Sequence, residues 1–342
     1  MTTDMQQWEI AAPGDANLRL VTAPKPVPKP GEILIEVDAV SLNYRERWLI
    51  DGGMGDAWEQ PLTPGSDVAG RVVAVGDQVT RFSVGDRVID HDIVGWLDGD
   101  APPPDANSFQ LGRLAQYVAA PAEWFIAAPR SLDDAAASTL PVAGLTAWMA
   151  LVELGKLRAG QTVVVQGTGG VALFAVQFAA AMGARVILTS SSDEKLERAR
   201  AFGATDAINR HRTPEWHQAV LDLTAGRGAD HILEMAGGDN VQKSLEAVAV
   251  GGRISIVGLL DAPDFRMSIV PLLFSRASVI GIGVGHRRAL EDMVRAVDRL
   301  GLKPVIDACY RFAELPQAMA HLRRGAFGKV VVHVRDSGTA AA

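Results

Sequence analysis

Residues 162–203 read TVVVQGTGGVALFAVQFAAAMGARVILTSSSDEKLERARAFG, and this stretch decides the fold. Thr162 to Val165 is a continuous β-branched run, the pattern of a strand buried on both faces. Gly167-Thr168-Gly169-Gly170-Val171-Ala172 follows, with glycine at the first and third positions and alanine at the sixth. From Val171 to Met182 the chain is apolar nearly all round, which predicts a helix sandwiched in a core. Gly183 stops that helix, and Arg185 to Thr189 predicts a second strand. Strand, glycine turn, helix and strand begin a dinucleotide-binding sheet.

The glycine positions have distinct jobs. Gly167 permits the tight turn out of the strand, and Gly169 lets backbone N–H groups approach a pyrophosphate with no Cβ in the way. Ala172 is small enough for helix and strand to pack closely. A glycine pattern alone is also what a flexible loop shows, but the flanking strand and helix are the context this motif requires. An NAD site places an acid about 20 residues beyond the glycines, against the ribose diol. Here that place is Thr189-Ser190-Ser191-Ser192, with no carboxylate before Asp193. The serine hydroxyls would meet a 2′-phosphate with donors, and Lys195 and Arg210 could add positive charge, so NADPH is expected over NADH. Ser192 also reads as a helix cap, with Asp193 and Glu194 in the first turn, and both readings can hold together.

The 342 residues have room for two domains. A net charge of −7, with no basic cluster, argues against nucleic acid or an anionic membrane as partner. The single cysteine, Cys309, excludes an intramolecular disulfide and any multi-cysteine metal site, and is expected as a small core residue. The start, MTTDMQQWEI, lacks the basic and long apolar regions of a signal peptide. The apolar run 171–182 is about half the ~20 residues that span a bilayer. A soluble cytoplasmic protein with a small-molecule substrate is expected.

Short β runs dominate residues 1–128: Ile33 to Val37, Gly70 to Val75, Arg87 to Asp90 and Leu114 to Val118. Their spacing predicts a small, partly open barrel. Segments 41–65 and 91–112 break the pattern, the second reading as an exposed loop through Pro102-Pro103-Pro104. Over 129–285, strands alternate with helices, which predicts a doubly wound parallel sheet of six strands ending at Ser278 to Val284. After a helix at Leu290 to Leu300, Ile306 to Val334 reads as strand, helix and strand, so residues 286–342 are expected to return to the first domain. The tail 335–342 reads as disordered.

Several stretches, in this order and spacing, resemble the medium-chain dehydrogenase/reductase superfamily over essentially the whole chain. They are Pro64-Gly65-Ser66-Asp67-Val68-Ala69-Gly70, Val84-Gly85-Asp86-Arg87-Val88, Ala143-Gly144-Leu145-Thr146-Ala147-Trp148, the glycine turn and Phe327-Gly328-Lys329-Val330-Val331. The resemblance implies an α/β chain with a GroES-like barrel, a Rossmann domain and catalysis in the cleft between them. It places Thr146 beside the nicotinamide ribose and phosphates, and Gly167, Gly169, Gly170 and Val171 around the pyrophosphate. It puts Gly258 beyond the fifth strand, has Gly283-Val284-Gly285 present backbone to the carboxamide, and has Lys329 reach the cofactor. It also implies a homodimer through the last Rossmann strand, near Val279 to Val284.

The departures from the family are as informative. The positions of the catalytic zinc ligands fall on Asn43, Ser66 and Val142, and segment 91–112 has none of the cysteines of the structural zinc lobe. Amide, hydroxyl and isopropyl groups cannot replace thiolate and imidazole, so no zinc is expected. The chain then resembles the zinc-free quinone oxidoreductases and related enone or carbonyl reductases. Without a Lewis acid, hydrogen-bond donors must stabilise the charge on the acceptor oxygen and a proton must follow. Asn43, Tyr44, Arg45 and Ser66 are the candidates, with Tyr44 as the acid. Some relatives that reduce enoyl thioesters carry a tyrosine where this chain has Met54, which weakens that assignment. Trp48 and Trp58 could line an apolar pocket or pack in the barrel. Arg45-Glu46 reads as a local ion pair, and Asp67 as a residue orienting the domain junction. His91-Asp92 resembles a base with its orienter but falls on the expected loop. An alcohol dehydrogenase working oxidatively and a non-catalytic NADPH sensor remain alternatives.

Overall fold

The computed structural model describes residues 4–53, 61–99, 101–103, 112–260, 262 and 264–335. Met54, Trp58, much of the 91–112 stretch and the tail 336–342 lie outside these residues. By its contacts the chain divides into two units, one of residues 1–145 with 285–342 and one of residues 146–284.

The first unit begins with the ribbon of β1 (Asp4–Ile10) and β2 (Leu18–Pro24). A larger sheet is built on β3 (Glu32–Leu42), which is buried along most of its length. Helix α1 (Tyr44–Ile50) follows, then β4 (Asp67–Val75), β5 (Arg87–Asp90), β6 (Tyr117–Pro121), β7 (Phe125–Ala127) and the short α2 (Asp134–Ala137). These strands pair antiparallel in the order β3–β4–β5–β7, with β6 also against β3. The expected strand at Leu114 instead crosses to β1, where Trp8 N donates to Leu114 O, and regular pairing begins three residues later. Residues 129–145 belong to this unit by their contacts: Ala135 packs with Ala39 and Val331, and Asp298 accepts from the backbone N–H groups of Arg130 and Ser131.

After α3 (Leu145–Trp148), the second unit runs β8 (Thr162–Gln166), α4 (Gly170–Ala181), β9 (Arg185–Ser190), α5 (Asp193–Arg200), β10 (Asp206–Asn209) and α6 (Trp216–Leu223). It continues through β11 (Ala229–Glu234), α7 (Asn240–Ala247), β12 (Val248–Ile256), α8 (Ile269–Ser275) and β13 (Ser278–Gly281). Among the described residues these strands form one parallel sheet, ordered β10–β9–β8–β11–β12–β13. Counted from β8 this order is 3-2-1-4-5-6, that of a Rossmann fold. All five residues of β8 are buried, as their β-branched run requires at the centre of a parallel sheet. Gly183, at a φ of +78°, ends the turn after α4 and would put a Cβ 3.3 Å from that of Ala159.

The chain then returns to the first unit through α9 (Arg287–Leu300), β14 (Ile306–Arg311), α10 (Leu315–Arg324) and β15 (Lys329–His333). β15 pairs antiparallel with β3, and β14 lies parallel outside β15 as the sheet edge. Cys309 is exposed on that edge strand and is not the core residue expected, because the alternating side chains of an edge strand have solvent on one side. The final Rossmann strand is shorter than its apolar run: pairing stops at Gly281, and Val284 takes a φ of +55°.

Candidate functional site

In the second unit the features expected of the glycine turn converge at the start of α4. Gly167 has a φ of +81°, open to glycine at little cost, and its N–H donates to Thr189 O, closing the turn onto β9. A Cβ on Gly167 or Gly169 would meet nothing within 4 Å, so the space over the turn is open. Gly169 is the N-cap of α4 and offers no side-chain acceptor, and the first turn carries no acid. The first N–H groups of this twelve-residue helix, those of Gly170 and Val171 included, therefore keep their positive end for an outside anion. Ala172 is buried against the sheet. These residues fit the pyrophosphate of a dinucleotide.

The serine run ends β9. Ser192 Oγ accepts from Lys195 N at 3.3 Å and caps α5, while Ser190 Oγ accepts from Ser192 N and Ser190 O from Arg210 N. Ser191 is exposed beside them. The nearest carboxylate, Asp193, is engaged by Asn209 Nδ2 at 2.9 Å and by Arg212 Nη1 at 2.8 Å. Arg212 was not among the expected residues. Its signal was the basic turn Arg210-His211-Arg212 directly after the third strand. Thr146 is buried on α3, and Gly258 packs so closely that a Cβ would lie 2.3 Å from Met235 O.

In the first unit, α1 and the start of β4 assemble a buried polar cluster. Lys329 Nζ, on β15, donates to Asn43 Oδ1 at 2.6 Å and lies 3.6 Å from Asp67 Oδ2. Asn43 Nδ2 donates to Asp67 Oδ2 at 2.9 Å and to Ser66 Oγ at 3.3 Å, and the Ser66 hydroxyl donates to Glu46. Burial raises the Asp67 carboxyl above the ordinary range and lowers the Lys329 amine, and their mutual attraction opposes both shifts. Each hydrogen that Asn43 and Ser66 could offer a substrate already has an acceptor within this cluster. Tyr44 differs: the residue is 43% exposed and its hydroxyl has no hydrogen-bond partner among the described residues. Trp48 lies over Gly53, where a Cβ would stand 2.1 Å from the indole.

Three local expectations are corrected here. Arg45 and Glu46 do not pair with each other: Glu46 takes the backbone N–H of Asn43 at 2.6 Å, while Arg45 makes a bidentate pair with Asp92. Burial pulls the Arg45 guanidinium down, but the bonds to Asp92 outweigh it. The start of the 91–112 segment is not an exposed loop, since His91, Asp92 and Trp96 are buried. With its partner on Arg45, Asp92 does not act as the orienter of His91. His91 Nε2 instead contacts Gly285 O at 3.0 Å, and the N–H groups of Arg287 and Arg288 bond to Trp96 O and Leu97 O. His91 thus holds the residue next to the strained Val284. Among the described residues no group of three or more His, Cys, Asp or Glu could hold a metal ion. No helix of these residues is long and apolar enough to cross a membrane.

Residues 29–130 match the alcohol dehydrogenase GroES-like domain, and residues 170–299 match the zinc-binding dehydrogenase family. A zinc-type alcohol dehydrogenase-like protein of Schizosaccharomyces pombe is 37% identical over 317 residues, covering 89% of this chain and 91% of its own. The chain belongs to the medium-chain dehydrogenase/reductase superfamily. It is an oxidoreductase of that family. Human quinone oxidoreductase is 28% identical, with 95% of each chain covered. The crystal structure of a putative alcohol dehydrogenase from Sinorhizobium meliloti superposes with a TM-score of 0.93 at 53% identity, covering 98% of this chain and all of that one.

Burial lowers His91 from 6.5 to about 4, so the folded chain keeps it neutral where an unfolded chain would protonate it. Stability from this site is complete above pH 6.5 and is lost as pH falls toward 4. His91→Gln removes that loss, so the parent's stability advantage in urea unfolding at pH 7.5 is expected to shrink by about 2 kcal/mol at pH 4.5. An advantage independent of pH means that His91 titrates normally.

Proposed function

We propose that this chain is an NADPH-dependent reductase that works without zinc and transfers hydride to a small apolar carbonyl, enone or quinone. The observation that carries the reading is the open glycine turn at the uncapped start of α4, followed by a serine run whose nearest carboxylate is already paired. Ser190, Ser191, Lys195, Arg210 and, beside them, Arg212 would receive the 2′-phosphate. The similarity to quinone oxidoreductases supports the substrate class.

The bound nicotinamide supplies the hydride. As the substrate carbon accepts it, the attached oxygen or conjugated carbon must gain one proton, and the residues have to provide it. Tyr44 is the proposed acid, because its hydroxyl has no hydrogen-bond partner among the described residues, while the hydrogens of Asn43 go to Asp67 and Ser66 and that of Ser66 goes to Glu46. Asn43 and Ser66 act by shaping the cluster around Lys329. Zinc does not fit this donor set: Asn43 and Ser66 are neutral, and a lysine ammonium already neighbours them. Those committed hydrogens also favour a second reading, a nucleotide-binding sensor that binds NADPH and turns nothing over.

We infer that the homodimer forms through β13. Among the described residues no strand pairs with its outer side, and Ile269, Val270, Leu273 and Phe274 of the preceding helix are exposed.

Titration with both dinucleotides, followed by NADPH oxidation against quinones, enones and aldehydes, tests the reading. Lys195→Ala is expected to weaken NADPH about tenfold and NADH little, on the scale of one charge-assisted hydrogen bond. Equal losses remove the 2′-phosphate assignment. Tyr44→Phe is expected to lower the reduction rate about a hundredfold while sparing NADPH binding, on the scale of a lost general acid. Unchanged turnover eliminates Tyr44, and binding without turnover in the parent favours the sensor. Phe274→Glu is expected to convert a dimer to a monomer in sedimentation analysis, and a dimer that persists moves the interface elsewhere.

A further inference from the structure

A second buried polar cluster lies at the carboxyl ends of β8 and β11. These strands are neighbours in the sheet although they are its first and fourth in sequence, so the strand order reverses between them. In open parallel sheets a ligand lies in the crevice outside the strand ends at such a reversal. Gln166 is the last residue of β8 and Glu234 the last of β11. Gln166 Nε2 donates to Glu234 Oε2 at 3.0 Å and ties the two ends directly across the reversal.

Glu234 is fully buried, which is costly for a carboxylate unless donors surround it. Here Ser244 Oγ donates at 2.5 Å, Asn240 Nδ2 reaches both oxygens at 2.9 Å, and the N–H groups of Ala236 and Gly237 donate at 2.9 and 3.1 Å. The other end of the Gln166 amide, Oε1, accepts from Met235 N at 3.1 Å and from Asn240 Nδ2 at 2.9 Å. Three successive backbone N–H groups after β11 are therefore drawn onto two side chains. Gly237 and Gly238, at φ of +76° and +54°, let the turn take this path, and Gly258 closes against Met235 O from behind. Such a turn has one shape, and Gln166 and Glu234 set it.

We propose that Gln166 and Glu234 are positioning residues for the dinucleotide, fixing the 235–238 turn as the wall of the crevice beside its nicotinamide half. The proposal rests on the cofactor reading above. A Rossmann sheet binds one mononucleotide half over each set of three strands, and the serine run on β9 assigns the adenosine half to β8, β9 and β10. The β11 turn therefore serves the other half.

Half-cofactor probes separate this role from simple stabilisation of the sheet. Glu234→Gln and Gln166→Glu each break the complementarity of carboxylate and amide. Each is expected to weaken NADPH about tenfold, the equivalent of about 1.4 kcal/mol, while 2′,5′-ADP, which lacks the nicotinamide half, changes less than about twofold. In the double variant Gln166→Glu/Glu234→Gln the carboxylate and amide change places; the backbone donors again face acceptors, and Ser244 Oγ, 3.0 Å from the Gln166 Nε2 position, turns its hydrogen to the carboxylate now at position 166. It is expected to bring NADPH affinity back to within about threefold of the parent, a coupling read from the double-mutant cycle. Parallel losses for NADPH and 2′,5′-ADP overturn the proposal, as do variants that lower only the melting temperature. A swap that restores the melting temperature but not NADPH affinity overturns it too. A parent chain that binds neither probe overturns the cofactor reading, and this proposal with it.

Discussion

The burial of β8 on both faces is the constraint from which the second unit follows. A strand of Thr162, three valines and Gln166 gives water no polar face, so helices must cover it above and below. That demand explains why α4 is apolar nearly all round and why Ala172 is small. It also requires a sharp exit from the strand, since the chain must turn at once to lay α4 back on the sheet. The turn that packing demands is the one that exposes helix N–H groups to an anion. Here close packing and a helix end open to an anion share one geometric solution.

The first unit solves the opposite problem. Its centre holds Lys329, Asp67, Glu46, Asn43 and Ser66 away from water, together with the Arg45–Asp92 and Arg113–Asp90 pairs nearby. Buried charges of this kind add little net stability and are severe to break. Their value lies in fixing geometry, because each group has few ways of satisfying its neighbours. Lys329 comes from the returning segment, so the cluster also links β15 chemically to α1 and β4.

Most of the architecture was legible because it rests on periodicity. The β8–α4–β9 unit, the six-strand alternation and the return after residue 285 all follow from runs of apolar residues punctuated by glycine. The family motifs pointed to Asn43, Ser66 and Lys329 one by one. What the sequence left hidden was direction. Nothing in the letters Asn43 and Ser66 says that their hydrogens are aimed at Asp67 and Glu46, or that Arg45 turns from its neighbour to Asp92. Gln166 and Glu234 escaped for the same reason, since their partnership joins residues far apart in the chain. The buried start of the 91–112 segment is hidden in the sequence because its proline-rich part dominates the local composition.

The first unit is assembled from both ends of the chain, whereas all the strands of the second lie within residues 146–284. β3 finds its partner β15 only near the end, and the Trp8 indole donates to Phe312 O more than three hundred residues away in sequence. During synthesis the second unit can complete its sheet while β3 still shows an open edge. The barrel must wait, with a strongly apolar strand unpaired, until the last fifty residues emerge. Late-closing edges of this kind are where chains aggregate. In the growing polypeptide, the hazard therefore belongs to the half that is made first and finished last.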